Sequence, residues 1–293
     1  MLPDDLAIIL TASLVAINCA LLGCFLVLRK MSMVGDAISH AVLPGIVVAF
    51  LFSGSFSSLP VLIGASTTGL LCTFLIEWLN KTAKVQGDAA IGMVFTFLFA
   101  IGVILISAYA GNADIDQDCV LHGEIAYVPF DLSETGTFLD LLPRQVWILG
   151  VVSILIFTLI KLGYRGLFLT TFDPEFALAT GVSLAFWHYL LMGAVSLTTV
   201  VSFESVGAIL VVAFLIIPAA TAYLLTDKLP QMLWISSVFG ILCSIVGYYF
   251  SGWIDGSIAG AIAVVMGVGF FLILLFAPQR GILGKKIFRM ASQ

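Results

Sequence analysis

Nine apolar runs of roughly twenty residues follow one another along the chain, separated by polar connections. They are Leu6–Leu28, Val34–Phe52, Leu59–Leu79, Ala89–Ala108, Gln145–Leu162, Leu184–Phe203, Val206–Leu225, Met232–Phe250 and Ile258–Phe276. Wound as a helix, such a run covers the roughly 30 Å of hydrocarbon in a bilayer. Helices are required there because lipid offers no partner to an unpaired backbone N–H or C=O. The pattern predicts an all-α, polytopic membrane protein with about nine transmembrane helices. The turn between the sixth and seventh runs is very short, which leaves eight and ten as the other counts.

Composition agrees with the pattern. Of 293 residues, 61% are hydrophobic and 10% charged, and 23 are Phe. An ordinary soluble domain is about 25% charged, and the mean hydropathy of +1.17 points the same way. No water-facing surface can be built from this mixture. A soluble enzyme, a nucleic-acid binder and a secreted disulfide scaffold are all excluded. The five cysteines fall into no disulfide or zinc spacing. Cys19, Cys24, Cys72 and Cys243 lie in apolar runs and only Cys119 in a polar stretch. The start, Met1-Leu2-Pro3-Asp4-Asp5, lacks the positive head and short apolar core of a cleaved signal, so the first run reads as a spanning anchor.

Charge sets the direction of threading. Basic residues collect on the cytoplasmic side of a membrane. With the N-terminus outside, all twelve Lys and Arg except Arg144 fall inside. The C-terminus is then cytoplasmic. Residues 1–293 read as one transmembrane domain with two long connections. The outer one, 109–144, holds Asp114, Asp116, Asp118, Glu124, Asp131, Glu134 and Asp140 against a single base. It is either a solvated loop or a docking surface and cation-attracting mouth. The inner one, Tyr164 to Ser183, contains Phe172-Asp173-Pro174-Glu175-Phe176-Ala177-Leu178-Ala179-Thr180-Gly181. Asp173 suits an N-cap, Pro174 the first turn and Gly181 a terminator, which predicts a short cytoplasmic helix over about 172–182.

Several chemistries are missing. The nearest approach to a nucleotide-binding loop, Gly281-Ile282-Leu283-Gly284-Lys285-Lys286, has the wrong spacing and no hydroxyl. No nucleophile–His–Asp set or zinc-protease pattern is present. The best constellation is Gly35-Asp36-Ala37-Ile38-Ser39-His40-Ala41-Val42-Leu43-Pro44-Gly45, at the inner end of the second run. Spacing of four puts Asp36, His40 and Pro44 on one helical stripe. Pro44 cannot donate to the carbonyl of His40. Hard oxygen with borderline nitrogen and no thiolate suits a divalent first-row metal ion. A plain cap at Asp36, an interhelical hydrogen bond at His40 and a simple kink at Pro44 would account for the same residues.

Weaker candidates follow. His188, in Trp187-His188-Tyr189, reads as one of the amphipathic rings that collect at a membrane boundary. Glu204 either lines an outer vestibule or is solvated, depending on how deep its turn lies. Pro218 frees another carbonyl before a run of small residues suited to close packing. Gly252, Gly256 and Gly260 recur at spacing four and read as a helix-packing face, within the protein or between two copies.

These residues carry a resemblance. The run from Gly35 to Gly45 is similar to the second-span signature of the membrane subunits of bacterial ABC importers for zinc, manganese or iron. Phe172–Ala177 resembles their coupling segment. Val206–Val212 followed by Pro218–Ala222 resembles their late-span signature. Asp116-Gln117-Asp118-Cys119-Val120-Leu121-His122-Gly123-Glu124 is similar to an outer segment of the family, with His122 where an aromatic is expected. The resemblance implies a homodimeric permease in the bacterial plasma (inner) membrane. Two cytoplasmic ATP-binding subunits and an extracytoplasmic metal-binding protein would be its partners, besides the lipid bilayer. ATP hydrolysis would belong to the ATP-binding subunit, so the chain itself would be no enzyme and would hold no permanent cofactor. Its cargo would be manganese or zinc, with iron as the third candidate.

The resemblance further implies that Asp36 and His40 contact the ion. Glu204, Pro44 and Pro218 are candidates for the gate or pathway. Asp173, Pro174, Glu175, Phe176 and Gly181 would couple to the ATPase, and Asp116, Asp118, His122 and Glu124 would dock the binding protein. The alternative is a proton-coupled secondary transporter in which Asp36 and His40 relay protons.

Overall fold

The computed structural model describes residues 4–53, 58–109, 125–130, 143–277 and 281. Their helices are α1 (Asp4–Leu28), α2 (Val34–Ala41), α3 (Leu43–Ser53), α4 (Ser58–Thr82), α5 (Gly87–Tyr109), α6 (Arg144–Phe172), α7 (Pro174–Ala179), α8 (Leu184–Val206), α9 (Ala208–Leu225), α10 (Leu229–Ile254) and α11 (Ile258–Phe276), with a 3-10 turn at Ile125–Phe130. Among the described residues nine segments are long and apolar enough to cross a membrane, α2 and α3 together making one of them. They follow the nine runs of the sequence in order. Large apolar side chains such as Phe52, Leu162, Trp234 and Trp253 stay exposed, as lipid-facing surfaces require.

Two details of the span ends differ from the apolar runs. The run Gln145–Leu162 is the N-terminal part of a 29-residue helix that continues to Phe172. At 1.5 Å per residue, α6 is about 43 Å long, longer than the hydrocarbon it crosses. The second span breaks at Val42, two residues before Pro44, where the missing N–H interrupts the ladder.

The chain forms two compact units. The first gathers α1, the 3-10 turn, α6 up to Phe157, and α9 to α11. Without a hydrophobic force between helices in lipid, small residues and close backbone approach hold such a bundle. A Cβ added at Gly23 would stand 2.0 Å from the Leu215 carbonyl oxygen, and one at Gly247 2.5 Å from the Ile262 Cα. Polar side chains add to this. Asn18 Nδ2 donates to the Leu149 carbonyl over 3.4 Å, and Ser205 Oγ donates to Gln145 Oε1 over 2.8 Å.

The second unit gathers α2 to α5, α6 from Thr158, α7, and α8 up to Glu204. Here α3 meets α4 at Gly45 and Gly64, where a Cβ on Gly45 would come within 2.2 Å of the Gly64 carbonyl oxygen. Further along, a Cβ on Gly69 of α4 would strike Ser196 Oγ of α8 at 2.0 Å and approach Ile38 of α2 at 3.2 Å. Near the far end of α6, the Trp187 ring lies over Gly163 and Gly166, so that a Cβ there would meet it at 2.5 Å and 2.1 Å.

The glycines at 252, 256 and 260 do not form one face. Gly252 belongs to α10 and Gly260 to α11, and Asp255, left-handed at φ 57°, ends α10 between them. A Cβ at Gly252 would meet nothing within 4 Å, and at Gly256 and Gly260 only the local turn. The close approach of α10 to α11 is at Gly247 instead.

Candidate functional site

Asp36 and His40 lie on α2, one helical turn apart. His40 Nε2 stands 3.8 Å from Asp36 Oδ1. Their neighbours Val34, Gly35, Ala37, Ile38, Ser39 and Ala41 are all buried, while the Asp36 and His40 side chains are 38% and 39% exposed. Ala37 and Ala41 explain the orientation. They pack into a core with Cys72 and Ile76 of α4 and Ala90, Val94 and Leu98 of α5, which turns the opposite stripe outward. The His40 ring rests between Phe95 and Phe99 of α5, at centroid distances of 5.9 Å and 6.2 Å. That contact fixes the ring without using either nitrogen.

Pro44 shares the sequence stripe but not the exposure, being buried within α3. Among the described residues there is no group of three or more His, Cys, Asp or Glu side chains able to hold a metal. An ion resting on Asp36 and His40 would complete its shell with water, backbone carbonyls or a second copy of the chain.

Glu204 is exposed near the end of α8. The connection that follows is a single residue, Gly207, with φ 79° and ψ 164°. Only glycine adopts that backbone without strain, so two spans are joined with one residue between their helices. Pro218 is buried inside α9, where Thr221 Oγ1 donates to the Ile217 carbonyl over 2.7 Å.

The short helix α7 has a designed stop at each end. The Phe176 N–H donates to Asp173 Oδ1 over 3.0 Å, and Pro174 occupies the first turn. At the other end the Val182 N–H reaches the Ala177 carbonyl and the Gly181 N–H the Leu178 carbonyl, with Gly181 at φ 79°. This double bond pattern is a Schellman termination. Ala177 is buried, whereas Phe176 and Leu178 are 53% and 61% exposed beside the exposed Glu175. The segment with Asp116, Asp118, His122 and Glu124 lies outside the described residues.

One acid escaped the sequence reading. Glu77, inside the α4 span, faces His188 of α8 with Oε2 3.6 Å from Nε2. Lys81 Nζ donates to its other oxygen, Oε1. His188 is therefore turned into the α4–α8 seam, 17% exposed. A lone acid within an apolar run was the available signal, since such residues are costly in a span.

Known proteins resemble this chain along most of its length. The profile of the ABC 3 transport family matches residues 6–277. The chain is 49% identical over 280 residues to the manganese transport system membrane protein MntD of Bacillus subtilis (strain 168), covering 96% of this chain and 94% of that one. It is 44% identical over 275 residues to the zinc transport system membrane protein TroD of Treponema pallidum (strain Nichols), covering 94% and 74%. Among solved structures, PsaBC from Streptococcus pneumoniae in complex with Fab matches with a TM-score of 0.78 and 34% identity, over 96% of this chain and 94% of that one.

Proposed function

The chain belongs to the ABC 3 transport family, and on that premise we propose how it handles its cargo. It is the multi-pass permease subunit of a bacterial inner-membrane importer, driven by ATP, for a divalent transition-metal ion, manganese or zinc. Two copies of the permease stand with cytoplasmic ATP-binding subunits, and an extracytoplasmic binding protein delivers the ion. The N-terminus lies outside, a direction that the distribution of Lys and Arg supports.

The observation that carries the metal reading is the Asp36–His40 pair, the two partly exposed side chains on a helix whose other faces are buried. One carboxylate and one imidazole are a fitting donor set for manganese or zinc. Two protein ligands with water suit a transit site, which must admit an ion and also release it. The support for α7 as the coupling element is its pair of exposed apolar side chains, Phe176 and Leu178, on a helix fixed at both ends. Pushed by the ATP-binding subunit, α7 moves with α6, from which it is separated only by Asp173. Glu204 and the acidic outer segment would receive the binding protein, with Pro44 and Pro218 as places where the spans bend.

The proton-coupled alternative finds no support among the relatives. The test is ATP-driven manganese uptake into proteoliposomes holding the permease, its co-purified ATP-binding subunit and the binding protein. Asp36→Ala and His40→Ala should each abolish uptake while leaving the complex assembled. Uptake that persists in both variants, or that follows a proton gradient without ATP, would overturn the reading.

A further inference from the structure

The seam between α4 and α8 keeps one antiparallel register. Gly69 meets Ser196, and Ser196 Oγ donates to the Ser66 carbonyl over 3.2 Å. Glu77 lies eight residues beyond Gly69, and His188 eight residues before Ser196, so the two fall at the same level. Gly69 is also level with Ile38, which Asp36 and His40 flank on α2. Eight residues of helix rise about 12 Å. A second carboxylate–imidazole pair therefore sits about two helical turns along α4 from that level, toward the end of α4 that carries Lys81.

Its geometry is close to that of a metal-bridged pair. Oxygen and nitrogen ligands at about 2.0–2.2 Å from a tetrahedral or octahedral ion lie about 3.0–3.5 Å from each other. Glu77 Oε2 and His188 Nε2 are 3.6 Å apart. Glu77 Oε2 is buried in a seam of low dielectric, where a carboxylate is costly without partners, and the Tyr189 hydroxyl joins Lys81 in holding the carboxylate. The cation that neutralises this carboxylate is tethered and movable. Lys81 binds Oε1 while its side chain is 70% exposed, against 15% for Glu77.

Resting on the reading that the cargo is a divalent metal ion, we propose that Glu77 and His188 form a second stop for that ion on the cytoplasmic side, from which Lys81 expels it. The arriving ion takes the carboxylate from the ammonium group. As the ion leaves, the ammonium group returns and closes the site against backflow. Conduction through successive weak sites requires such a means of release.

The experiment uses the full chain in lipid nanodiscs with Mn2+ alone as the probe. In the Asp36→Ala/His40→Ala background, pulsed electron paramagnetic resonance should still find bound Mn2+ coupled to one imidazole nitrogen. His188→Asn should remove that coupling, and Glu77→Gln should remove the bound ion. Lys81→Met, at an exposed position, should act in the opposite direction, tightening Mn2+ several-fold and slowing its release. If the double variant binds no Mn2+, or Lys81→Met leaves Mn2+ binding unchanged, the pair is only a clasp between helices and the proposal fails. In that case Mn2+ on the unaltered chain still upholds the Asp36–His40 reading. Absence of Mn2+ from the unaltered chain overturns both.

Discussion

Removing the side-chain oxygen of Asp173 should loosen α7 by an amount that its caps define. A six-residue helix cannot hold itself together in water, because nucleation costs more than so few internal bonds return. Its order rests on the Asp173 cap, on Pro174, and on the reverse turn at Gly181. Loss of an N-cap costs about 1 kcal/mol, about a fivefold change in the ratio of ordered to frayed helix. Alanine at Gly181, where φ is 79°, costs about 1–2 kcal/mol for the left-handed backbone. Both changes act on the same equilibrium, so their factors multiply to about 30-fold or more. The assay is hydrogen exchange at the Phe176 and Val182 amides in the assembled complex, alongside the affinity for the ATP-binding subunit. Asp173→Ala should speed exchange about fivefold and weaken assembly by no more than that factor, since binding requires the ordered fraction. Asp173→Asn and Asp173→Ser keep a capping oxygen and should resemble the unaltered protein. If Asp173→Asn behaves like Asp173→Ala, the carboxylate acts through its charge on a partner and the capping argument is refuted.

Other consequences are open to measurement. Gly23→Ala forces a methyl group against the Leu215 backbone and should destabilise the chain by about 1–3 kcal/mol, seen as a lower thermal midpoint in detergent, whereas Gly267→Ala, with open space around it, should not lower that midpoint. Ser205→Ala leaves Gln145 Oε1 buried without its donor and should cost about 1–3 kcal/mol; the double variant Ser205→Ala/Gln145→Leu should recover part of that loss in the same melt. Gly207→Ala should cost about 1–3 kcal/mol through backbone strain at φ 79°, and an unchanged midpoint would show that the joint between α8 and α9 relaxes.

Run length carried most of the fold. Membrane spans are set by a hydrocarbon thickness that leaves a continuous apolar mark, so nine runs became nine candidate spans. What left no apolar mark went unread. The stretch of α6 from Gly163 to Phe172 contains Arg165 and two threonines, so the run ended where the helix did not. The stops of α7 were legible because Asp, Pro and Gly each have a local backbone reason to stand there. The glycines at 252, 256 and 260 misled because regular spacing says nothing about Asp255 turning the chain between them. Asp36 and His40 were visible as neighbours on one helix. Glu77 was hidden because its nearest charge in sequence, Lys81, makes an ordinary one-turn ion pair, while His188 comes from a span far along the chain.

The Trp187 ring bearing on Gly163 and Gly166 makes α6 a lever with its fulcrum off centre. From that point to Phe172 the helix measures about 11 Å, and to Arg144 about 31 Å. For a rigid rod the arms stand nearly one to three. A sideways shift of about 1 Å delivered at the short arm, where α7 is attached, would swing the Arg144 end by nearly 3 Å the other way. The bearing needs both glycines, since any side chain at either would lift the helix off the ring. Work done where α7 joins α6 would thus arrive at the far end of the helix reversed in direction and magnified in stroke.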